Sequence, residues 1–198
     1  MRVKQVHGNV VRVLKRGEVP AGAAEARPDG DAIVSNEPGL ALAVMVADCN
    51  PILVVDPRRG AAAAIHAGWR GTCARIGPTA IGIMRREFGS DPADLIAAIG
   101  PSVGPDDYEV GEALIEAFAA AGHSKADIDR WFTRGTSKPH LDLWTANCDQ
   151  LAAAGLRPDT IYLCGLSTVS HPDILDSYRV RGDKAGRMAG VIVVPRTS

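Results

Sequence analysis

The sequence of 198 residues predicts a single domain of the α+β class. Several strand-like segments follow one another before the first helical segment, whereas a doubly wound parallel sheet would alternate strands with helices. No stretch has the composition of a linker between domains, and no internal repeat is visible. Hydrophobic residues make up 46% and charged residues 23% of the chain, which is typical of a globular protein with a substantial core.

Apolar or β-branched runs bounded by turn residues predict strands along most of the chain. The predicted strands are residues 9–14, 32–34, 40–46, 52–55, 61–65, 95–99, 161–164 and 191–194. Between the first two strands, residues 15–29 are rich in Gly, Ala and Pro, which predicts a long loop. The first helix is expected only after the fifth strand.

Helical periodicity and end signals predict helices over residues 78–88, 111–121 and 141–154. Pro78 stands in the first turn of the first helix, where proline is tolerated because the amide groups there have no helical partner. Gly155 follows the last helix and is a typical C-terminal signal, since glycine readily adopts the left-handed conformation.

The most informative part of the sequence is a predicted β-hairpin that carries a thiol and an imidazole at its open end. The turn at residues 56–60, Asp-Pro-Arg-Arg-Gly, separates two strand-like runs. If the hairpin is centred on this turn, the numbers of opposite residues sum to about 117, so His66 faces Pro51 and Cys49 lies just beyond. A thiol and an imidazole held this close can form a thiolate–imidazolium ion pair, or they can supply two ligands of a transition-metal site. The sequence pattern is compatible with both interpretations.

Two further residues could complete a site around this pair. His7 alone is typical of a surface or capping histidine, but with Cys49 and His66 it would supply three positions of a tetrahedral zinc site. The fourth position would remain open for water or substrate. Arg70 lies between two glycines and suits a phosphate or carboxylate ligand. The alternative is that Arg70 forms a structural ion pair with an acid such as Asp48.

Composition and charge exclude several functional classes. A formal net charge of −1 and only 5% aromatic residues give no case for a nucleic-acid partner or an acidic membrane surface. The N-terminus lacks the apolar core of a secretory signal, and the longest apolar run is too short to span a bilayer. The four cysteines form no CxxC pair, which argues against a zinc ribbon. We expect a cytoplasmic protein that is a monomer or a small homo-oligomer.

Short motifs recur in order along nearly the whole chain and together resemble one known family. The motifs are Val-His-Gly at 6–8, Ala-Asp-Cys at 47–49, His-Ala-Gly-Trp-Arg-Gly at 66–71, Gly-Pro-Ser-Val-Gly at 100–104, Tyr-Glu-Val-Gly at 108–111, Leu-Asp-Leu-Trp at 141–144, Ser-Tyr-Arg at 177–179 and Gly-Arg-Met-Ala at 186–189. This set resembles the YfiH-like laccase-domain family. Its members were named multicopper polyphenol oxidases and later described as zinc-dependent purine nucleoside phosphorylases with adenosine deaminase activity.

The resemblance implies a fold and a set of site residues. The fold is a layered αββα sandwich, in which two mixed sheets pack together and are flanked by helices, over residues 1–198. Family members usually carry more chain before the Val-His-Gly motif, so the resemblance also implies that the usual N-terminal segment is lacking. It further implies a metal site made by His7, Cys49 and His66, with Zn²⁺ as the expected ion and Cu²⁺ as the alternative. Arg70 would face the anionic co-substrate.

Tyr178 and Arg179 match the C-terminal Ser-Tyr-Arg motif, and the resemblance places them near the substrate pocket. The implied activity is phosphorolysis of adenosine, inosine, guanosine or methylthioadenosine to base and ribose 1-phosphate, with adenosine deamination. Purine nucleosides and phosphate would be the partners, and Cys49, His66 and Arg70 the catalytic residues.

Three other functions stay open at this point. A copper-dependent, laccase-like polyphenol oxidase would need several clustered metal sites, yet the chain has five histidines in all. In addition, Asp106, Asp107 and Ser167 stand where relatives often have cysteines, which removes soft ligands for a copper cluster. A metal-free hydrolase could use Cys49 as nucleophile and His66 as base. The chain could also be a nucleoside-binding module without turnover.

Overall fold

The computed structural model describes residues 1–19, 27–133 and 138–196. Its strands are β1 (Val11–Leu14), β2 (Ala32–Ser35), β3 (Ala41–Val46), β4 (Asn50–Asp56), β5 (Ala61–Ala67), β6 (Ile96–Ile99), β7 (Phe132–Thr133), β8 (His140–Leu141), β9 (Ile161–Leu163) and β10 (Met188–Val193). Its α-helices are α1 (Trp69–Cys73), α2 (Ile76–Phe88), α3 (Glu112–Ala120), α4 (Lys125–Trp131), α5 (Leu143–Ala153) and α6 (Tyr178–Arg181). Five strands precede the first helix, and the α+β class predicted from the sequence is confirmed.

A mixed six-stranded sheet with the order β1-β2-β5-β4-β6-β9 forms the centre of the fold. The two outer pairs, β1–β2 and β6–β9, are parallel, whereas the inner pairs are antiparallel. The hairpin β4–β5 lies in the middle of this sheet with Pro51 opposite His66, which confirms the predicted register. Strand β5 continues through Ala67, so that His66 is part of the strand rather than of the loop after it.

A second sheet, made by β3 and β10 in antiparallel pairing, packs against one face of the first. Side chains alternate between the two faces of a strand, so β5 contributes to two cores. Ala62 and Ala64 belong to the cluster between the sheets, together with Leu42 and Val44 of β3. His66 has the same parity and therefore points toward the second sheet, at the end of the hairpin opposite the turn.

Helices cover the other face of the central sheet. Ile65 of β5 packs in one hydrophobic cluster with Ile81 and Met84 of α2 and with Leu151 of α5. A separate cluster centred on Phe118 joins α3, α4 and α5 beside the sheet. Among the described residues no helix is both long and apolar enough to cross a membrane.

The short helices α1, α4 and α6 were not predicted, because none of them is long enough to show a full amphipathic period. Helix α5 begins at Leu143, two residues later than predicted, since Asp142 is its N-cap and accepts a hydrogen bond from the backbone of Thr145. Of the loop predicted over residues 15–29, the part at 20–26 lies outside the described residues.

Candidate functional site

Three potential metal ligands meet at the open end of the β4–β5 hairpin. One ligand atom from each of His7, Cys49 and His66 lies within 4.8 Å of the others. The rings of the two histidines meet edge to face, with their centroids 4.8 Å apart. Cys49 follows Asp48, whose φ of 86° lies in the left-handed region, and this backbone turn carries the thiol from the end of β3 back toward His66. The arrangement brings together residues far apart in the sequence.

A buried carboxylate supports His66 from behind. The side chain of His66 is only 3% exposed, and its Nδ1 atom lies 2.9 Å from Oδ1 of Asp31, which is fully buried. Because Nδ1 is occupied in this way, Nε2 is the ring nitrogen that remains for the thiol of Cys49 or for a metal ion. Asp31 directly precedes β2, whose antiparallel pairing with β5 places it beside His66.

The electrostatics of the metal-free site favour a charged pair. Burial tends to raise the pKa of the Cys49 thiol, but hydrogen bonds and charges from His66 and His7 outweigh this effect and lower the pKa to about 7. Burial tends to lower the pKa of His66, but its hydrogen bonds to Asp31 and Cys49 raise the pKa to about 9. Between these values the metal-free pair is a thiolate and an imidazolium.

The donor set and the space around it fit a transition-metal ion. A thiolate with two imidazoles is a ligand set used for zinc and for copper. Gly68 leaves room for the sulfur, because a Cβ atom at this position would lie 2.7 Å from Sγ of Cys49. The backbone of Gly68 has φ −78° and ψ 176°, which any residue can adopt, so the glycine is required by this close contact alone.

The triad lies in the wall of a cavity of about 750 Å³, a volume typical of a small-molecule site. Arg70, Tyr178 and Arg179 line the same cavity, so the structure brings all six site residues predicted from the sequence around one space. The guanidinium of Arg70 lies 4.3 Å from the ring centre of Trp69.

The predicted alternative, a structural ion pair between Arg70 and Asp48, is wrong for the described residues. Asp48 instead accepts hydrogen bonds from the Thr168 hydroxyl at 2.6 Å and from the backbone N–H of Arg179 at 2.7 Å. Asp48 thus ties the loop that carries Cys49 to the start of α6. Among the residues that the structure describes, none forms a hydrogen bond or an ion pair with the guanidinium of Arg70, which is exposed at the cavity and can receive an anion.

Aromatic and basic side chains also line the cavity. The guanidinium of Arg179 lies 4.9 Å from the ring centre of Tyr108 and donates a hydrogen bond to the carbonyl of Glu109. The guanidinium of Arg187 lies 5.9 Å from the ring centre of Tyr178, which is half exposed. Burial and the nearby charge of Cys49 raise the pKa of Tyr108 to about 12, so its phenol stays protonated at neutral pH.

Three residues of this site were not assigned a role from the sequence. Tyr108 and Arg187 stand in the motifs Tyr-Glu-Val-Gly and Gly-Arg-Met-Ala, but a motif alone does not show that its members reach the cavity. Asp31 could have been found only from the pairing of β2 with β5, in which Ala32 lies opposite Ile65. Continuing that register by one residue places Asp31 opposite His66.

Alkylation provides a direct test of the ligand assignment. In metal-free protein the Cys49 thiolate forms as the pH rises through about 7, so iodoacetamide should modify it at neutral pH faster than an ordinary thiol, whose pKa is about 8.5. One equivalent of zinc should protect Cys49, whereas Cys164 is exposed and serves as an internal reference. Peptide mass spectrometry measures both rates. Zinc protection would exclude the metal-free hydrolase, and an unchanged Cys49 rate would contradict the metal site.

Comparison with known proteins identifies the family to which this chain belongs. The family model described as multi-copper polyphenol oxidoreductase laccase matches residues 1–195. A purine nucleoside phosphorylase from Bacteroides thetaiotaomicron is 42% identical over 166 residues, which cover 83% of this chain and 60% of that relative. Adenosine deaminase RL5, from an unknown prokaryotic organism, is 42% identical over 128 residues, which cover 64% of this chain and 47% of that protein.

The fold of the chain is also similar to that of a solved structure. The crystal structure of YfiH from Bacillus licheniformis matches with a TM-score of 0.88 and 28% sequence identity, over 98% of this chain and 73% of that one. The chain spans less than two thirds of the length of both curated relatives. With its motifs, fold and family match in agreement, the chain belongs to the multi-copper polyphenol oxidoreductase laccase family, as the resemblance predicted.

Proposed function

We propose that this chain is a zinc-dependent purine nucleoside enzyme. It would cleave adenosine, inosine, guanosine or methylthioadenosine by phosphorolysis and would also deaminate adenosine. The observation that carries the proposal is the position of the triad of His7, Cys49 and His66, which lies in the wall of a cavity that is also lined by the exposed guanidinium of Arg70. The names of two relatives, a purine nucleoside phosphorylase and an adenosine deaminase, support the same two reactions.

Phosphorolysis requires that phosphate and nucleoside meet in a fixed geometry. A phosphate oxygen attacks the anomeric carbon, the bond from that carbon to the purine nitrogen breaks, and the base leaves with the electron pair. Arg70 would hold the phosphate and stabilise its charge, since a guanidinium can donate two parallel hydrogen bonds to it. Tyr108, a protonated phenol at this cavity, can donate a hydrogen bond to the substrate.

The metal would be held by the two imidazoles and the thiolate of the triad. When bound there, a divalent ion would supply Lewis-acid chemistry, which suits the replacement of the purine amino group by water in deamination. His66 presents one nitrogen to the site while Asp31 occupies the other. Tyr178 and Arg179, which line the same cavity, would bind the nucleoside.

Product analysis tests this proposal. Metal-loaded protein is incubated with adenosine or inosine, with and without phosphate, and the products are separated by chromatography. Free base and ribose 1-phosphate are expected only when phosphate is present, whereas inosine should form from adenosine in either buffer. If a protein with one zinc per chain released neither free base nor inosine, the proposed function would be wrong.

A copper-dependent phenol oxidase is the second candidate, because two histidines and a cysteine also form a known copper ligand set. Within the ranges that the structure describes, however, this triad is the one group of three or more metal-ligating side chains, and a multicopper oxidase needs several. Metal analysis together with oxygen uptake on a phenolic substrate separates the two functions. One zinc per chain and no oxygen uptake would exclude the oxidase.

A further inference from the structure

Asp31 is a buried carboxylate that lies behind the triad and does not line the cavity. Its side chain is 0% exposed. Oδ1 accepts a hydrogen bond from the backbone N–H of His7 at 2.9 Å and lies 2.9 Å from Nδ1 of His66. Oδ2 accepts a hydrogen bond from the backbone N–H of Gly8 at 2.6 Å. Both oxygens of this carboxylate are therefore occupied by groups that belong to, or adjoin, the two histidine ligands.

We propose that Asp31 is a positioning residue that fixes two of the three metal ligands at once. This inference rests on the proposed metal site. Asp31 holds His66 through its ring, since a hydrogen bond to Nδ1 sets the orientation of the imidazole and leaves Nε2 unprotonated for the ion. It holds His7 through the backbone. No hydrogen bond joins Asp31 to Cys49, which is carried by the loop between β3 and β4.

The backbone of His7 shows why this second contact is needed. Its φ of 59° lies in the left-handed region, which a residue other than glycine adopts only when its surroundings compensate. The consecutive N–H groups of His7 and Gly8 both point at the Asp31 carboxylate and form a concave anion-binding turn around it. Without the carboxylate these donors would lose their partner, and the His7 side chain would lose its fixed direction toward the site.

Asparagine cannot replace Asp31 in this arrangement, although it has nearly the same shape. If its amide nitrogen took the place of Oδ2, that nitrogen would oppose the N–H group of Gly8. If it took the place of Oδ1, it would oppose the N–H group of His7 and would force Nδ1 of His66 to accept a hydrogen bond. The ring proton would then move to Nε2, the atom that has to bind the ion.

The affinity for metal is the first test. The dissociation constant for zinc is measured by competition with a chromophoric chelator in wild type, in Asp31→Asn and in Asp29→Asn. Loss of a carboxylate behind a metal-bound histidine typically weakens metal binding by about 10–100-fold, which is the result expected for Asp31→Asn. Asp29 lies two residues away with a side chain 59% exposed, so Asp29→Asn should match wild type. Equal affinities of wild type and Asp31→Asn would overturn the inference.

The cobalt spectrum separates positioning from a merely structural role. Saturating Co²⁺ should give an altered absorption spectrum in Asp31→Asn, because the histidine ligands are displaced, and a wild-type spectrum in Asp29→Asn. A variant that loses thermal stability but keeps the wild-type spectrum when saturated would contradict positioning.

If Asp31→Asn does not fold, the zinc-loaded wild type still decides the question. Nitrogen-correlated NMR should show the His66 proton on Nδ1, in a strong hydrogen bond to a carboxylate, and a proton on Nε2 would overturn the inference. Wild type that binds no metal would refute the metal site and this inference with it. Wild type that binds metal but converts no nucleoside would refute the proposed function alone, because the affinities and spectra would still decide the role of Asp31.

Discussion

Replacing Cys49 with alanine is expected to remove most metal binding and, with it, nucleoside turnover. Its Sγ atom is one of three donors that lie within 4.8 Å of one another. Zinc binding at four-ligand protein sites corresponds to about 10–16 kcal/mol. The loss of one ligand should therefore cost about 3–4 kcal/mol, which is a factor of about 10²–10³ in affinity. Zinc content after dialysis and a competition titration measure the effect, and chromatography measures turnover.

Cys164→Ala is the matched control for this substitution. Cys164 follows β9, is exposed and does not line the cavity. This variant should keep both the zinc content and the turnover of wild type. If Cys49→Ala kept wild-type affinity for zinc, the assignment of Cys49 as a ligand would be wrong.

Replacing Arg70 with alanine is expected to separate the two proposed reactions. The co-substrate of phosphorolysis is phosphate, whereas the co-substrate of deamination is water. Hydrogen bonds to charged groups contribute about 1.5–3 kcal/mol each, so loss of a two-pronged contact with phosphate should cost about 3–6 kcal/mol. The kcat/KM for phosphate should then fall by a factor of about 10²–10⁴, and the rate of inosine formation from adenosine should stay close to that of wild type.

Two further variants serve as controls for the Arg70→Ala experiment. Arg70→Lys keeps the charge without the planar fork and should recover part of the lost phosphorolysis. Arg58→Ala removes an exposed arginine from the hairpin turn, where it pairs with Asp94 far from the cavity lining, and should leave both reactions unchanged. Equal loss of phosphorolysis and deamination in Arg70→Ala would show that Arg70 acts on the nucleoside or on the fold rather than on phosphate.

The central hairpin could be predicted in detail because its information is local. The turn residues fix the centre of the hairpin, and the period of two then sets which residues face each other. The observed pairing of Pro51 with His66 follows from this rule. The fold class could be predicted for a similar reason, because the order of strands and helices follows from local sequence patterns.

The parts that escaped prediction depend on contacts distant in sequence. Nothing local in β3 indicates that its partner is β10, more than a hundred residues later. Asp31 looks like an ordinary loop acid until β2 pairs with β5. Helix α6 spans four residues and is stabilised by tertiary contacts, including the hydrogen bond from Arg179 to Asp48, that no sequence period can reveal.

The turn that joins β4 to β5 has a consequence for the chemistry at the opposite end of the hairpin. Asp56 accepts hydrogen bonds from the backbones of Arg58 and Arg59, and Gly60 closes the turn with a φ of 62°. A single residue inserted there, if taken up by the strand rather than by the loop, would slide β5 by one place. The imidazole of residue 66 would then turn toward the aliphatic layer under α2, and the butyl side chain of Ile65 would occupy its place. The length of an exposed turn therefore sets the register that places His66 beside Cys49.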